Sequence, residues 1–171
     1  MIKILVTGAT GQVGTELVKA APIGFTVIGF DSGQLDITDQ HLVNSVITLY
    51  KPDLIINAAA YTAVDKVESD AERAYAVNEV GVRNLAEAAI ALNIPIFHIS
   101  TDYVFDGTST VPYKETDSVG PKGVYGASKL SGELVLASSG AAHIILRTSW
   151  VFGVAGNNFV KTMLRLGKER D

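Results

Sequence analysis

The sequence predicts an α/β fold, a doubly wound parallel sheet flanked by helices on both faces. Short β-rich runs alternate with helical patterns from one end of the chain to the other. The runs read as apolar throughout, as strands covered on both faces do. The first run, moreover, leads into a glycine-rich bend that opens a helix.

The elements follow in order. Ile2–Val6 reads as a buried strand, followed by a glycine turn and a helix near Gln12–Ala20. Phe25–Phe30 is the second strand, and Thr38–Tyr50 a helix capped by Thr38 or Asp39. Asp53–Asn57, after Pro52, is the third strand. Ser69–Leu92 is rich in Ala and Leu and predicts one long helix, closed by Asn93 and Pro95. Ile96–Ser100 is a fourth strand, and Phe105–Gly123 a long loop. A helix over about Val124–Ser138, a strand over Ala142–Leu146 and a last helix over Asn158–Lys168 complete the chain. Nothing marks a repeat, a low-complexity tract or a linker.

Composition narrows the class of function. The 171 residues fit one domain, with 47% hydrophobic and 19% charged residues, the balance of a globular protein with a core. No apolar run is long enough to span a bilayer, which argues against a membrane protein. Net charge is −4 with no basic block, which argues against a nucleic-acid surface. The absence of cysteine excludes disulfides and suits a cytoplasmic protein. His41, His98 and His143 lie far apart without ligand spacing, so the expectation is satisfied histidines and no metal site.

Gly8-Ala9-Thr10-Gly11-Gln12-Val13-Gly14 has the spacing G-x-x-G-x-x-G between a strand and a helix, a variant of the Rossmann dinucleotide fingerprint. Such glycines permit a tight turn, approach of a pyrophosphate and close packing of helix on strand. The helix N-terminus adds free N–H groups and positive dipole. Asp31, at the end of the second strand, suits the ribose hydroxyls of an adenosine and would repel a 2′-phosphate, which favours NADH slightly over NADPH. A plain turn-forming Asp is the alternative reading.

Tyr125-Gly126-Ala127-Ser128-Lys129 puts a phenol and an ammonium one helical turn apart. A phenol of pKa about 10 is a reluctant acid at neutral pH. A neighbouring cation lowers that value, so Lys129 is expected to tune Tyr125 as a proton donor to a carbonyl oxygen.

Together, Gly8–Gly14, Thr101 and the Tyr125/Lys129 pair resemble the extended short-chain dehydrogenase/reductases. Four longer blocks, Leu35–Asp39, Asn57–Lys66, Ser100–Gly107 and Arg147–Gly153, resemble the dTDP-4-dehydrorhamnose reductase family, from Met1 to the last residue. The resemblance implies reduction of the C4 keto group of dTDP-4-dehydro-L-rhamnose, a nucleotide sugar, by NADH or NADPH. It implies Tyr125, Lys129 and Thr101 as the catalytic set, and Gly11, Gln12 and Val13 at the pyrophosphate, beside Gly8 and Gly14. Asp31 would reach the adenosine ribose, and Asp36 and Ile37 would border the adenine. Ala60, Tyr61 and Thr62 would line the nicotinamide-side ribose, with Ile99 beneath the cofactor. Thr101, Asp102 and Trp150 would meet the substrate. Asn78 would orient a helix or relay protons, while Asp65 and Glu68 are solvated charges where a helix begins.

The family continues into a smaller C-terminal domain that binds the sugar nucleotide, and this chain stops at Asp171. Residues 1–171 are therefore expected to be an NAD(P)-binding Rossmann domain that binds dinucleotide but reduces sugar poorly by itself. A homodimer of the full-length protein is implied too, with Mg2+ in some family dimers. Two rival readings share the fold: a nucleotide-sugar epimerase or dehydratase, and a non-catalytic subunit resembling the methionine adenosyltransferase β subunit.

Overall fold

The computed structural model describes residues 1–169 and, of residues 64 and 65, the backbone alone. Five parallel strands form one sheet in the order β2-β1-β3-β4-β5: β1 Ile2–Thr7, β2 Phe25–Phe30, β3 Leu54–Asn57, β4 Ile96–Thr101 and β5 His143–Thr148. Strand order reverses direction at β1, so a crevice opens between the C-terminal ends of β1 and β3. Ligands of open α/β sheets bind at such a switch point.

Alternate residues of a strand face opposite sides, and the two sides carry different helices. Ile4 and Val6 look toward α1 (Gln12–Lys19), whose Val13 and Leu17 border the same apolar hollow. Leu5 and Ile55 look the other way, into the main core with Val43 and Ile47 of α2 (Gln40–Tyr50). Helix α2 is capped by Asp39, whose Oδ1 accepts from the Leu42 N–H at 3.0 Å, and ends on Lys51 in the left-handed region. Thr38 is not the cap.

The single helix expected over Ser69–Leu92 runs without a gap from Ala71 to Leu92, but its winding changes in the middle. It consists of α4 (Ala71–Tyr75), a π turn (Ala76–Val80) and α5 (Gly81–Leu92), preceded by a short α3 (Val64–Val67). The π turn lets another helix come close: a Cβ on Gly132 would lie 2.0 Å from the Asn78 carbonyl oxygen. Asn93, with φ of 53°, closes α5 as expected. Small residues on α5, Ala86, Ala88 and Ala89, are all buried in the core.

A 3₁₀ turn (Asp102–Val104) follows β4, and α6 (Val124–Ser138) follows the long loop. Strand β5 runs two residues beyond the expected end, pairing Ser100 with Arg147 and Thr101 with Thr148. The last helix is α7 (Phe159–Glu169), with Asn158 Oδ1 accepting from the Lys161 N–H at 3.1 Å. No helix among the described residues is long and apolar enough to cross a membrane.

Candidate functional site

At the end of β1 the chain turns through Gly8, with φ of +67°. A side chain there would be strained, and its Cβ would lie 2.6 Å from the Ala59 nitrogen. A Cβ on Gly14 would lie 2.2 Å from the Gly8 carbonyl oxygen. Glycine at 14 therefore lets α1 pack directly on the turn after β1, and glycine at 8 lets that turn pack on the loop that follows β3. Gly11 is the N-cap of α1 and contributes no side-chain bond. The amide nitrogen of the Gln12 side chain is buried without a hydrogen-bond partner. A buried donor left unpaired costs free energy, so an acceptor from outside the chain fits here. The residues present suit a dinucleotide phosphate.

A crevice of about 560 Å³ joins this turn to the ends of β3, β4 and β5. Its walls include Gly11, Gln12 and Val13 at one end, and Ala60, Thr62 and Ile99 along the floor. Thr101, Asp102, Tyr125, Lys129 and Trp150 stand at the other end. Beyond Tyr125 and Trp150 a second hollow of about 750 Å³ opens, walled by Tyr103, Phe105, Tyr113 and Lys122.

Not every expected residue stands in the crevice. Asp36 Oδ1 accepts from the N–H and hydroxyl of Thr38, and Ile37 is a core residue against Gly81. Asp31 uses Oδ1 to accept from the N–H groups of Gly33 and Gln34, the turn-forming role. Tyr61 donates its hydroxyl to Asp70 at 2.9 Å, which raises the phenol's pKa. Its backbone is clamped by Asn78, whose Oδ1 accepts from the Tyr61 N–H at 2.9 Å and whose Nδ2 donates to Ser128 Oγ at 3.0 Å. Asn78 thus fixes the loop after β3 to α6, between Tyr125 and Lys129. That is the orienting one of its two expected roles.

The reactive end depends on close packing. A Cβ on Gly126 would lie 2.2 Å from the Tyr103 carbonyl oxygen, so the 3₁₀ turn sits directly on α6. The rings of Tyr103 and Tyr125 meet edge to face, 5.7 Å apart. Ser149 donates its hydroxyl to Asp102. Trp150 is 75% exposed at the crevice mouth, and its φ of 52° is rare for a bulky residue.

The electrostatics differ from expectation. Burial raises the pKa of Tyr125, the Thr101 hydroxyl pulls it down, and Asp102 and Tyr103 push it up again. Lys129 is not among these influences. Its ammonium is bonded elsewhere: Nζ donates to the Ile99 carbonyl at 2.7 Å and meets His98 Nε2 at 3.3 Å. Lys129 is 1% exposed, and burial lowers its pKa from 10.5 to about 8, against a smaller upward pull from Glu133. Helical spacing correctly puts Tyr125 and Lys129 on one crevice but does not say what each side chain bonds.

Several contacts were not read from the sequence. Glu68 is no idle charge: its Oε1 accepts from the Val124 N–H at 2.9 Å, at the start of α6. The side chain of Asp65 lies outside the described residues. Glu133, buried, accepts from Ser100 Oγ and from Arg147, whose Nη2 is 2.7 Å from Oε2. That pair holds β4 and β5 to α6 just behind Thr101. His98 is wholly buried, and burial with the nearby Lys129 charge holds its pKa well below 6.5. Among the described residues no group of three or more His, Cys, Asp or Glu is placed to hold a metal ion.

The family of the RmlD substrate binding domain matches residues 2–171. The chain is 53% identical to a dTDP-4-dehydrorhamnose reductase of Aggregatibacter actinomycetemcomitans, covering 100% of this chain and 59% of that protein. It is 48% identical to one from Sinorhizobium fredii, covering 99% of this chain and 57% of that protein. A crystal structure of the dTDP-4-dehydrorhamnose reductase of Bacillus anthracis in complex with NADP superposes with a TM-score of 0.97. It shares 42% identity, covering 100% of this chain and 62% of that one. The chain therefore spans somewhat under two thirds of the length of these relatives.

Proposed function

The chain belongs to the family of the RmlD substrate binding domain, and on that premise we propose that it is the dinucleotide-binding part of a dTDP-4-dehydrorhamnose reductase. The reaction is reduction of the C4 keto group of dTDP-4-dehydro-L-rhamnose to dTDP-L-rhamnose. The observation that supports this reading most is one continuous crevice: the glycine turn and unpartnered Gln12 amide lie at one end, Thr101, Tyr125 and Lys129 at the other. The Bacillus anthracis relative binds NADP; for this chain we propose NADPH or NADH.

Bound NAD(P)H supplies the hydride. The chain's own residues do the rest. Gln12 and Val13 receive the pyrophosphate through backbone N–H groups and the Gln12 amide, and Gly8, Gly11 and Gly14 leave room for its approach. Asp31 has its second carboxylate oxygen for the adenosine ribose, with Asp36 and Ile37 on the adenine side. Ala60, Tyr61, Thr62 and Ile99 border the nicotinamide half, and Lys129 holds its ribose. Tyr125 gives its phenolic proton to the carbonyl oxygen as the carbon is reduced. That phenol is protonated at neutral pH, as a donor must be, and burial raises its pKa further, so the Thr101 hydroxyl, which lowers it, has to help the proton leave. The Thr101 hydroxyl hydrogen-bonds the same oxygen as charge develops on it. Asp102, set by Ser149, and Trp150 face the sugar.

The test is an NAD(P)H-oxidation assay of the full-length protein with dTDP-4-dehydrorhamnose, run beside other keto-sugar nucleotides. The proposal expects net consumption of coenzyme, fastest with the rhamnose precursor. Conversion without net consumption would instead identify an epimerase, which recycles its cofactor.

A further inference from the structure

Behind Lys129 lies a row of buried polar groups that the reaction as described does not use. Thr7 Oγ1 donates to Asn57 Oδ1 at 2.7 Å, and the Ala59 N–H donates to the same oxygen at 3.1 Å. Asn57 Nδ2 is 3.0 Å from His98 Nδ1, and His98 Nε2 is 3.3 Å from Lys129 Nζ. Thr7, Asn57, His98 and Lys129 are all buried, so water does not repair a mismatch cheaply.

The row has a fixed polarity. A backbone N–H can only donate, so the Ala59 nitrogen holds Asn57 with its oxygen toward β1 and its NH2 toward the imidazole. The NH2 of a carboxamide also only donates. His98 Nδ1 must therefore accept, and a neutral imidazole then carries its one proton on Nε2. That N–H points at Lys129. An ammonium has no lone pair to receive it, whereas an amine has one. Two donors would face each other if Lys129 were charged.

We propose that His98 is a positioning residue for proton transfer: held in its Nε2–H tautomer by Asn57, it donates to Lys129 and favours the lysine as a neutral amine. The amine keeps two hydrogens of its own, one on the Ile99 carbonyl, the other free for the crevice. Lys129 thereby becomes a group that takes up and releases a proton near neutral pH rather than a permanent cation. Burial works in the same direction, and Glu133 on α6 opposes both. Glu133 is itself neutralised by Arg147 of β5. Tyr125 on α6, with Asp102 and Tyr103 of the 3₁₀ turn, also lines this end of the crevice.

The inference rests on Tyr125 and Lys129 as the proton-transfer pair, but its test needs neither substrate nor turnover. In 15N-histidine-labelled protein, two-bond 15N–1H couplings above the Lys129 midpoint should show the His98 proton on Nε2. Lysine labelled at 13Cε, with the Lys129 signal assigned by its loss in Lys129→Met, should titrate well below an ordinary lysine. In His98→Gln the carboxamide can turn its oxygen to an ammonium, so the Lys129 midpoint should rise by about a unit, tenfold in proton affinity. A purely structural histidine would not move that midpoint. A His98 proton on Nδ1, or an unmoved Lys129 midpoint in folded His98→Gln, overturns the proposal. Should that variant fail to fold, the tautomer in the unsubstituted protein decides alone.

Discussion

Lys129 Nζ lies 2.7 Å from the Ile99 carbonyl oxygen, so the ammonium-bearing helix is tied to the end of β4 and not to its own Tyr125. The bond explains how so large a polar side chain can be buried. It also places the lysine charge at a cost, because burial pulls its pKa down to about 8.

A pH dependence of stability follows. The unfolded chain holds a proton on this lysine up to about pH 10.5, and the folded chain releases it from about 8. Between those values the unfolded state binds more protons, so stability rises with pH. The full gain is about 3 kcal/mol, from 1.36 kcal/mol per pKa unit. Urea denaturation from pH 7 to 10 should show the unsubstituted protein gaining on Lys129→Met across this window. Using the difference between the two cancels the opposite trend of Tyr125, whose raised pKa makes stability fall at higher pH. Parallel curves would mean that the lysine is not desolvated.

Two glycines are fixed by contact. Gly14→Ala would put a Cβ 2.2 Å from the Gly8 carbonyl oxygen, forcing the turn open. Its dinucleotide affinity should fall at least about tenfold, with a stability loss of about 1–3 kcal/mol, typical of overpacking. Gly132→Ala, with 2.0 Å to the Asn78 carbonyl oxygen, should destabilise comparably by pushing α6 off the π turn. Calorimetry of dinucleotide binding and thermal melts of both variants check this. A fully stable, tight-binding Gly14→Ala would refute the packing argument.

Asp31 serves its own turn with one oxygen; the other is the one we propose for a ribose. Asp31→Ala should cost about 1 kcal/mol through the lost turn bonds. The same change should raise affinity for NADPH relative to NADH by roughly tenfold, since a carboxylate no longer repels the 2′-phosphate. Paired titrations with the two coenzymes measure the ratio. An unchanged ratio would leave Asp31 as a turn residue only.

Much of this was legible in the chain itself, because strands, glycine bends and i,i+4 pairs are local. The run Ile2–Val6 led to the right element, and residues of the glycine fingerprint and of the Tyr125/Lys129 pair line one crevice. What escaped depends on approach between distant segments. Glu68 caps a helix 56 residues away, and no nearby pattern marks it as a cap. The π turn at Asn78 reads as plain α-helix, since Ala- and Val-rich sequence suits either form, and the residue packed on it, Gly132, lies far along the chain. Lys129 was expected to act directly on Tyr125. Helical spacing fixes its face, but a β4 carbonyl and His98 claim its nitrogen.

The most direct measurement is turnover of Tyr125→Phe in the full-length protein, with coenzyme affinity measured alongside. The ring and its packing on Tyr103 survive the change, while the acidic proton does not. Coenzyme affinity should stay within about twofold, and turnover should fall by about 10²–10⁴-fold, the usual contribution of a positioned acid. Turnover equal to that of the unsubstituted protein would contradict the assignment of Tyr125 as the proton donor.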